Sequence, residues 1–288
     1  MRFYPEQTST LSPEWVATRM AEFLREDLPA GDITSEAVIS NQQELTAQIE
    51  AVESLVFAGA QVLPACLGDQ CRVDLQVDDG ATVAAEEVIA VVRGPARQIL
   101  ARERVTLNLV QRLSGIATLT RRFVELAQPQ GVLVLDTRKT TPGLRLFEKY
   151  AVTVGGGHNH RLDLSSGILI KDNHLQLAGG ITRAVAAARQ SDGDLPVEVE
   201  VEEREQLLEG LAAGADAFLL DNMTPIQVEA LVALVRADRR GQDIFLEASG
   251  GINLENFAAY ARTGVDGISV GALTHSVRSM DLRLELVA

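Results

Sequence analysis

Apolar residues recur at helical spacing directly after Ser12-Pro13-Glu14: Trp15, Val16, Met20, Phe23 and Leu24 fall on one side of a helix. Serine followed by proline is a helix start, with Ser12 as N-cap and Pro13 in the first turn. From "ELTAQIEAVESLVFAG" (44–59) to "VIAVVRG" (88–94) the pattern changes to short alternating and β-branched runs, broken at "LGD" and "DDGAT". That predicts a small mixed α/β domain. Residues 96–128 then read as a long helix interrupted near Ser114-Gly115, which places a domain junction there.

Beyond the junction short apolar runs alternate with helical patterns. The runs are "GVLVLDTRK" (131–139), "AVTVGGG" (151–157), "GILIKDN" (167–173), "VEVEVE" (197–202), "AFLLDN" (217–222), "IFLEASGG" (244–251) and "GISVGA" (267–272). Strands separated by helices imply a parallel sheet, and seven of them imply a closed or nearly closed β/α barrel. An open doubly wound sheet is the second choice. No G-x-G-x-x-G follows the first strand and no phosphate-binding G-x-x-x-x-G-K-[ST] occurs, so neither nucleotide signature supports that choice.

In parallel β/α folds the chemistry sits beyond the C-terminal ends of the strands. The runs here end in polar or glycine-rich clusters. Asp136, Thr137, Arg138 and Lys139 follow the first, and Gly155–Gly157 lead to His158, His160 and Arg161 after the second. Lys171 and His174 follow the third; the fourth offers Glu198, Glu200 and Glu202, and the fifth ends at Asp221-Asn222. The last two end in Ser249-Gly250-Gly251 and Val270-Gly271-Ala272. Early strands supply cations, middle strands carboxylates, and the last two glycine amides suited to a phosphate. A ligand carrying several anionic groups and a sugar fits that order.

Charge sharpens the picture. The 288-residue chain carries a formal net charge of −14, yet three of its four histidines and one of its three lysines fall within 155–174. An acidic surface argues against nucleic acid and anionic membranes, while an anionic substrate needs its cations gathered locally. No apolar run approaches the length of a membrane span, and the first twenty residues lack the apolar centre of a secretion signal, which predicts a cytoplasmic protein with Cys66 and Cys71 reduced. Duller readings stand beside each feature. His158 and His160 could pair on a metal without an evident third ligand, "VEVEVEE" could be a solvated edge strand, and Lys139 or Lys171 could be an aldolase-type amine nucleophile.

"LDTRKTTPGLRLFEKYAVTVGGGHNHRLDLSSGILIKDNH" (135–174) strongly resembles the signature of the quinolinate phosphoribosyltransferase family. "GDITSEAV" (31–38), "ERVTLNLVQRLSGIAT" (103–118), "EVEVE" (198–202), "FLLDN" (218–222), "EASGGI" (247–252) and "GVDGISVGALTHS" (264–276) extend the resemblance in the same order. It implies a type II phosphoribosyltransferase architecture: an N-terminal α/β domain over 1–114, a seven-stranded β/α barrel over 115–275, and a tail, 276–288, that packs back on the first domain. It also implies a homodimer or larger homo-oligomer. The implied reaction joins quinolinate to 5-phosphoribosyl-1-diphosphate with Mg²⁺ and no organic cofactor, giving nicotinate mononucleotide, diphosphate and CO₂ on the route to NAD.

Carried over by position, the resemblance assigns Arg104, Thr137, Arg138, His160, Arg161 and Lys171 to the quinolinate carboxylates. Lys139, Lys171, His174, Glu200 and Asp221 would face the phosphoribosyl diphosphate, with Lys139, Glu200 and Asp221 catalytic and the two carboxylates near the metal. Ser249, Gly250, Gly251, Val270, Gly271 and Ala272 would cradle the 5′-phosphate. One departure stands out. The family often carries a basic residue, reaching the neighbouring subunit's site, where this chain has Val52.

Overall fold

The computed structural model describes residues 7–191 and 195–287, which divide into two compact units. The first comprises 8–121, 142–156 and the C-terminal segment from 276. Its opening helix, Pro13–Asp27, starts as the sequence predicts: the Ser12 side chain accepts from the Trp15 amide, and Val16, Met20 and Leu24 are buried. Five strands follow: β1 (Glu44–Ala51), β2 (Leu55–Val56), β3 (Arg72–Leu75), β4 (Thr82–Val83) and β5 (Val88–Pro95). β1 pairs antiparallel with β5 and, on its other edge, with the C-terminal strand Leu282–Leu286; β3 pairs with β5. Ile49, Phe57, Leu63, Ile89, Val92, Ile99, Val110 and Leu282 form a continuous apolar core.

Two expectations fail here for physical reasons. The long helix, Ala96–Ala127, runs unbroken through Ser114-Gly115. Gly115 is a contact position: a Cβ there would lie 2.3 Å from the Arg278 carbonyl oxygen, so the missing side chain lets the C-terminal segment pass against the helix. The unit accordingly keeps the helix as far as Arg121.

Residues 151–154, expected as a strand, are the last turn of a helix, Arg145–Val154. Phe147, Tyr150 and Ala151 are buried at helical spacing, and the Trp15 ring lies 4.7 Å from that of Phe147. The Arg112 guanidinium meets buried Glu148 at 2.6 Å, and the Tyr150 hydroxyl donates to Asp79. Packing on that face overrides the β preference of Val152 and Val154.

The second unit comprises 122–141 and 157–275, with Gln7 its first described residue. Its described residues form six parallel strands, β6 (Leu133–Leu135), β7 (Ile168–Ile170), β8 (Val197–Val201), β9 (Ala217–Asp221), β10 (Phe245–Ser249) and β11 (Gly267–Ser269). Their order is β6-β11-β10-β9-β8-β7. His158 adds a single parallel bridge to Leu135 on β6. Helices follow most strands, among them Pro225–Ala237, whose Thr224 and Gln227 form a reciprocal capping box. No helix among the described residues is long and apolar enough to cross a membrane.

Gly115→Ala tests the contact argument. Helix propensity alone favours alanine by about 1 kcal/mol, whereas overlap with the Arg278 backbone costs about 1–3 kcal/mol. A lower urea midpoint is expected, and a raised one would return Gly115 to the role of a helix interruption.

Candidate active site

Side chains alternate along a strand, so residues two apart share a face. On β8 that puts Glu198 and Glu200 together, opposite the valines at 197, 199 and 201. Register carries the face across the sheet: Glu200 lies beside Leu219, Leu219 beside Glu247, and Asp221 beside Ser249. Leu169 and Lys171 continue it at β7 and Ser269 at β11. With Thr137, Arg138, Lys139, His160 and Arg161 these residues line one cavity of about 320 Å³ within the second unit. The cavity is of the size of a small-molecule site.

Asp136, fully buried, organises the cationic wall. Its Oδ1 accepts from the His160 amide and its Oδ2 from Asn159 Nδ2, both at 2.8 Å. The His158 amide donates to the Val134 carbonyl oxygen at 2.8 Å, and the Asp136 amide to that of His158 at 3.0 Å. The turn after Gly157 is thereby tied to β6, and His160 and Arg161 are presented to the cavity. Arg161 Nη1 donates to the Gly167 carbonyl oxygen at 2.9 Å. Burial and the charge of Arg138 pull the pKa of Arg161 below its ordinary value. An anionic ligand relieves that repulsion.

His160 is buried with two carboxyls from different strands. Its Nε2 lies 3.3 Å from Glu198 Oε2 and 3.6 Å from Glu247 Oε2. Burial disfavours charge on the ring, but Glu247, Glu198 and Asp136 outweigh it and hold the imidazole above its usual pKa. Burial lowers that of His158. Among the described residues His160, Glu198 and Glu247 are the group able to surround an ion, and His158 stands outside it, so the His158–His160 metal pairing does not form. The Arg161 amide donates to His160 Nδ1 at 2.8 Å, which puts the ring proton on Nε2 and leaves no lone pair there for a metal.

Lys171 is ion-paired to Glu200. Asp221 Oδ2 accepts from Asn222 Nδ2 at 2.6 Å, and Asn222 adopts a left-handed φ of 56°. Gly250, at φ 97°, packs on that turn: a Cβ there would lie 2.3 Å from Asn222 Oδ1 and 2.6 Å from its amide nitrogen. Glycine at 250 is therefore required by the protein's own backbone, before any phosphate is considered. Gly251, at φ 61°, has open space on its Cβ side.

Nine residues expected from the sequence line the cavity together: Thr137, Arg138, Lys139, His160, Arg161, Lys171, Glu200, Asp221 and Ser249. Gly250 and Gly251 follow Ser249, and Val270, Gly271 and Ala272 follow Ser269, at the same strand ends. Those five are not themselves in the lining, and neither are Arg104 and His174. Arg104 is exposed on the long helix. His174 is exposed in the first turn of the helix Asp172–Ala178, where its Nδ1 accepts from the Lys171 amide at 2.9 Å. Glu247 and Ser269 went unnoticed. The available signal for Glu247 was a charged residue inside the apolar run "IFLEAS", two places before Ser249.

The family model for the quinolinate phosphoribosyl transferase N-terminal domain matches residues 32–114, and that for the C-terminal domain matches 116–285. A probable nicotinate-nucleotide pyrophosphorylase [carboxylating] of Bacillus subtilis (strain 168) is 46% identical over 268 residues, covering 92% of this chain and 91% of its own. The nicotinate-nucleotide pyrophosphorylase [carboxylating] of Homo sapiens is 38% identical over 282 residues, covering 96% and 94%. The solved structure of the nicotinate-nucleotide pyrophosphorylase from Francisella tularensis superposes with a TM-score of 0.92 at 37% identity, covering 98% of this chain and all of its own.

The two glycines after Ser249 should behave differently when substituted. Gly250→Ala is expected to cost about 1–3 kcal/mol, through strain and backbone overlap. Gly251→Asn should fold normally, because asparagine tolerates a left-handed φ. Thermal unfolding followed by circular dichroism separates them; equal midpoints would remove the Asn222 contact as the reason for Gly250.

Proposed function

The chain belongs to the quinolinate phosphoribosyltransferase family, and we propose that its cavity joins quinolinate to 5-phosphoribosyl-1-diphosphate. The products are nicotinate mononucleotide, diphosphate and CO₂, a step that makes pyridine nucleotide for NAD. The observation that carries this reading is the meeting of Arg138, His160, Arg161 and Lys171 with Glu200 and Asp221 in one cavity. A dicarboxylate needs the first set, and a cation developing at a sugar carbon needs the second.

Arg138, Arg161 and Lys171 bind the two ring carboxylates, with Thr137 and His160 fixing their orientation. As diphosphate leaves, positive charge grows at the anomeric carbon, and Glu200 and Asp221 stabilise it electrostatically. Lys139 faces the leaving diphosphate, with His174 at the rim. The amides of Ser249–Gly251 and Val270–Ala272 hold the 5′-phosphate. Glu200 and Asp221 also offer hard oxygen donors at adjacent strand ends, a set suited to Mg²⁺. When bound, the ion supplies charge neutralisation at the diphosphate. Once ribosylated, the ring nitrogen is cationic and accepts the electron pair released with CO₂, so no organic cofactor is needed.

The pairing of Lys171 with Glu200 suits a carboxylate-binding ammonium rather than the neutral amine of an aldolase-type nucleophile. The bridge at His158 extends the sheet on the open side of β6, and continuation of that segment toward β7 would close a seven-stranded barrel. Arg104, exposed on its helix, is available to the cavity of a second copy, in keeping with a homodimer or larger assembly.

With quinolinate, phosphoribosyl diphosphate and Mg²⁺, the protein should release CO₂ and diphosphate in equal amounts. Nicotinate should turn over poorly because it lacks one carboxylate; efficient use of nicotinate would overturn the assignment.

Arg138→Gln and Arg161→Gln should each weaken quinolinate binding about ten- to a hundredfold, the worth of one charge-assisted contact. Glu200→Gln and Asp221→Asn should lower turnover more than quinolinate affinity, because their charges act in the transition state. Calorimetry beside steady-state kinetics reads both, and unchanged turnover in the carboxylate variants would make them a solvated face.

A further inference from the structure

The turn that carries His160 and Arg161 is tied to β6 on both sides of Asn159. The His158 amide donates to the Val134 carbonyl oxygen, the Asp136 amide to that of His158, and the His160 amide to Asp136 Oδ1. Asn159 itself is 2% exposed, and its own peptide groups also need partners. The Gln7 side chain meets both. Its Oε1 accepts from the Asn159 amide at 2.6 Å, and its Nε2 donates to the Asn159 carbonyl oxygen at 3.4 Å. We propose that Gln7 is a positioning residue for the quinolinate end of the cavity, clamping Asn159 so that His160 and Arg161 are in place before the ligand arrives. The inference rests on the phosphoribosyl-transfer reading.

The side chain suits the task. A carboxamide offers an acceptor and a donor side by side, whereas a carboxylate only accepts and an ammonium or guanidinium only donates. The chain that follows Gln7 is itself held. The Thr8 carbonyl oxygen accepts from Thr153 Oγ1 at 2.9 Å. The Gln61 carboxamide makes a similar double contact, donating to the Ser9 carbonyl oxygen at 3.1 Å and accepting from the Leu11 amide at 2.9 Å. Less entropy is therefore lost in placing Gln7 than in ordering a residue on a free segment.

Gln7 does not line the cavity, so its effect reaches a ligand through Asn159. Asn159 Nδ2 donates to Asp136 Oδ2, so this one residue is held by its backbone from Gln7 and by its side chain from Asp136. Without Gln7 the buried Asn159 amide loses a partner, and the turn shifts toward arrangements that replace it. Quinolinate would then have to draw the turn back. Its apparent affinity falls by the fraction of molecules with the turn in place. Lys139, Asp221 and the loop after Ser249 belong to other strand ends, so phosphoribosyl diphosphate should bind as before.

Gln7→Ala should weaken quinolinate binding about three- to tenfold, the worth of one lost hydrogen bond. Phosphoribosyl diphosphate affinity should stay unchanged. In steady-state kinetics the KM for quinolinate should rise while kcat holds, because saturating ligand restores the turn. Gln7→Glu keeps an acceptor for the Asn159 amide and should recover part of the loss. Equal losses for both substrates would make Gln7 a general support of the fold, and unchanged quinolinate affinity would mean that the turn stands without it. Either result overturns the inference, as does a glutamate variant no better than alanine.

The wild type gives an answer that needs no variant. Before any ligand is added, the Asn159 amide should resist hydrogen exchange, and free exchange there would overturn the inference. A wild type with Asn159 protected that neither binds quinolinate nor releases CO₂ would instead count against the phosphoribosyl-transfer reading.

Discussion

Asp136 is fully buried at the end of β6, where a carboxylate without partners would cost several kcal/mol. The His160 amide and the Asn159 side chain satisfy it, each at 2.8 Å. Those two bonds, with the backbone bonds of His158 to Val134 and of Asp136 to His158, hold the turn after Gly157 in place. If the carboxylate were lost, the amide of His160 would be left buried without its acceptor and the turn would be free to move. His160 and Arg161 owe their positions to that turn, so the cationic wall depends on an anion that itself does not line the cavity.

The same reasoning extends to the rest of the buried charge. Asp136, Glu198 and Glu247 lie under a cavity walled by Arg138, Arg161 and Lys171. Each sign makes burial of the other tolerable, and the set is unfinished without a ligand: Arg161 is destabilised by Arg138 beside it. A net charge of −14 over the whole chain is no obstacle, because screening confines surface charge to about 10 Å at ordinary salt. Short range and low dielectric decide what the cavity binds. The gathering of scarce histidine and lysine into 155–174 is the sequence trace of that locality.

Much of the site was legible because strand ends announce themselves. In "GVLVLDTRK" or "AFLLDN" the change from apolar to polar residues marks the rim, and alternation then selects Glu200 and Asp221 as neighbours. Glu247 escaped because it precedes the change: a lone glutamate within an apolar run gives no such boundary, and only register with Leu219 shows which way it faces. The helix at Arg145–Val154 escaped because "AVTV" carries a β-like composition while its helical face is decided by Trp15, Asp79 and Arg112, far away in sequence. Gly115 misled for a related reason. Glycine within a helix signals either a break or a contact, and the contact partner, Arg278, lies near the other end of the chain.

Gly250 answers to a structural requirement of its own. A glycine after a strand in this fold suggests a phosphate cradle, and position 250 has the positive φ such a loop needs. Yet its nearest obstacle is Asn222, a left-handed residue whose side chain grips Asp221 and whose amide donates to the Ser249 carbonyl oxygen at 3.0 Å. Asp221 and the loop after Ser249 are thus parts of one turn pair. A side chain at Gly250 would push on Asn222 and through it on Asp221, so the loop and the carboxylate would move together. Gly251 sits one residue further out with open space beside it. It is the position at which the loop can be altered without moving the carboxylate, and so the one from which the two can be separated.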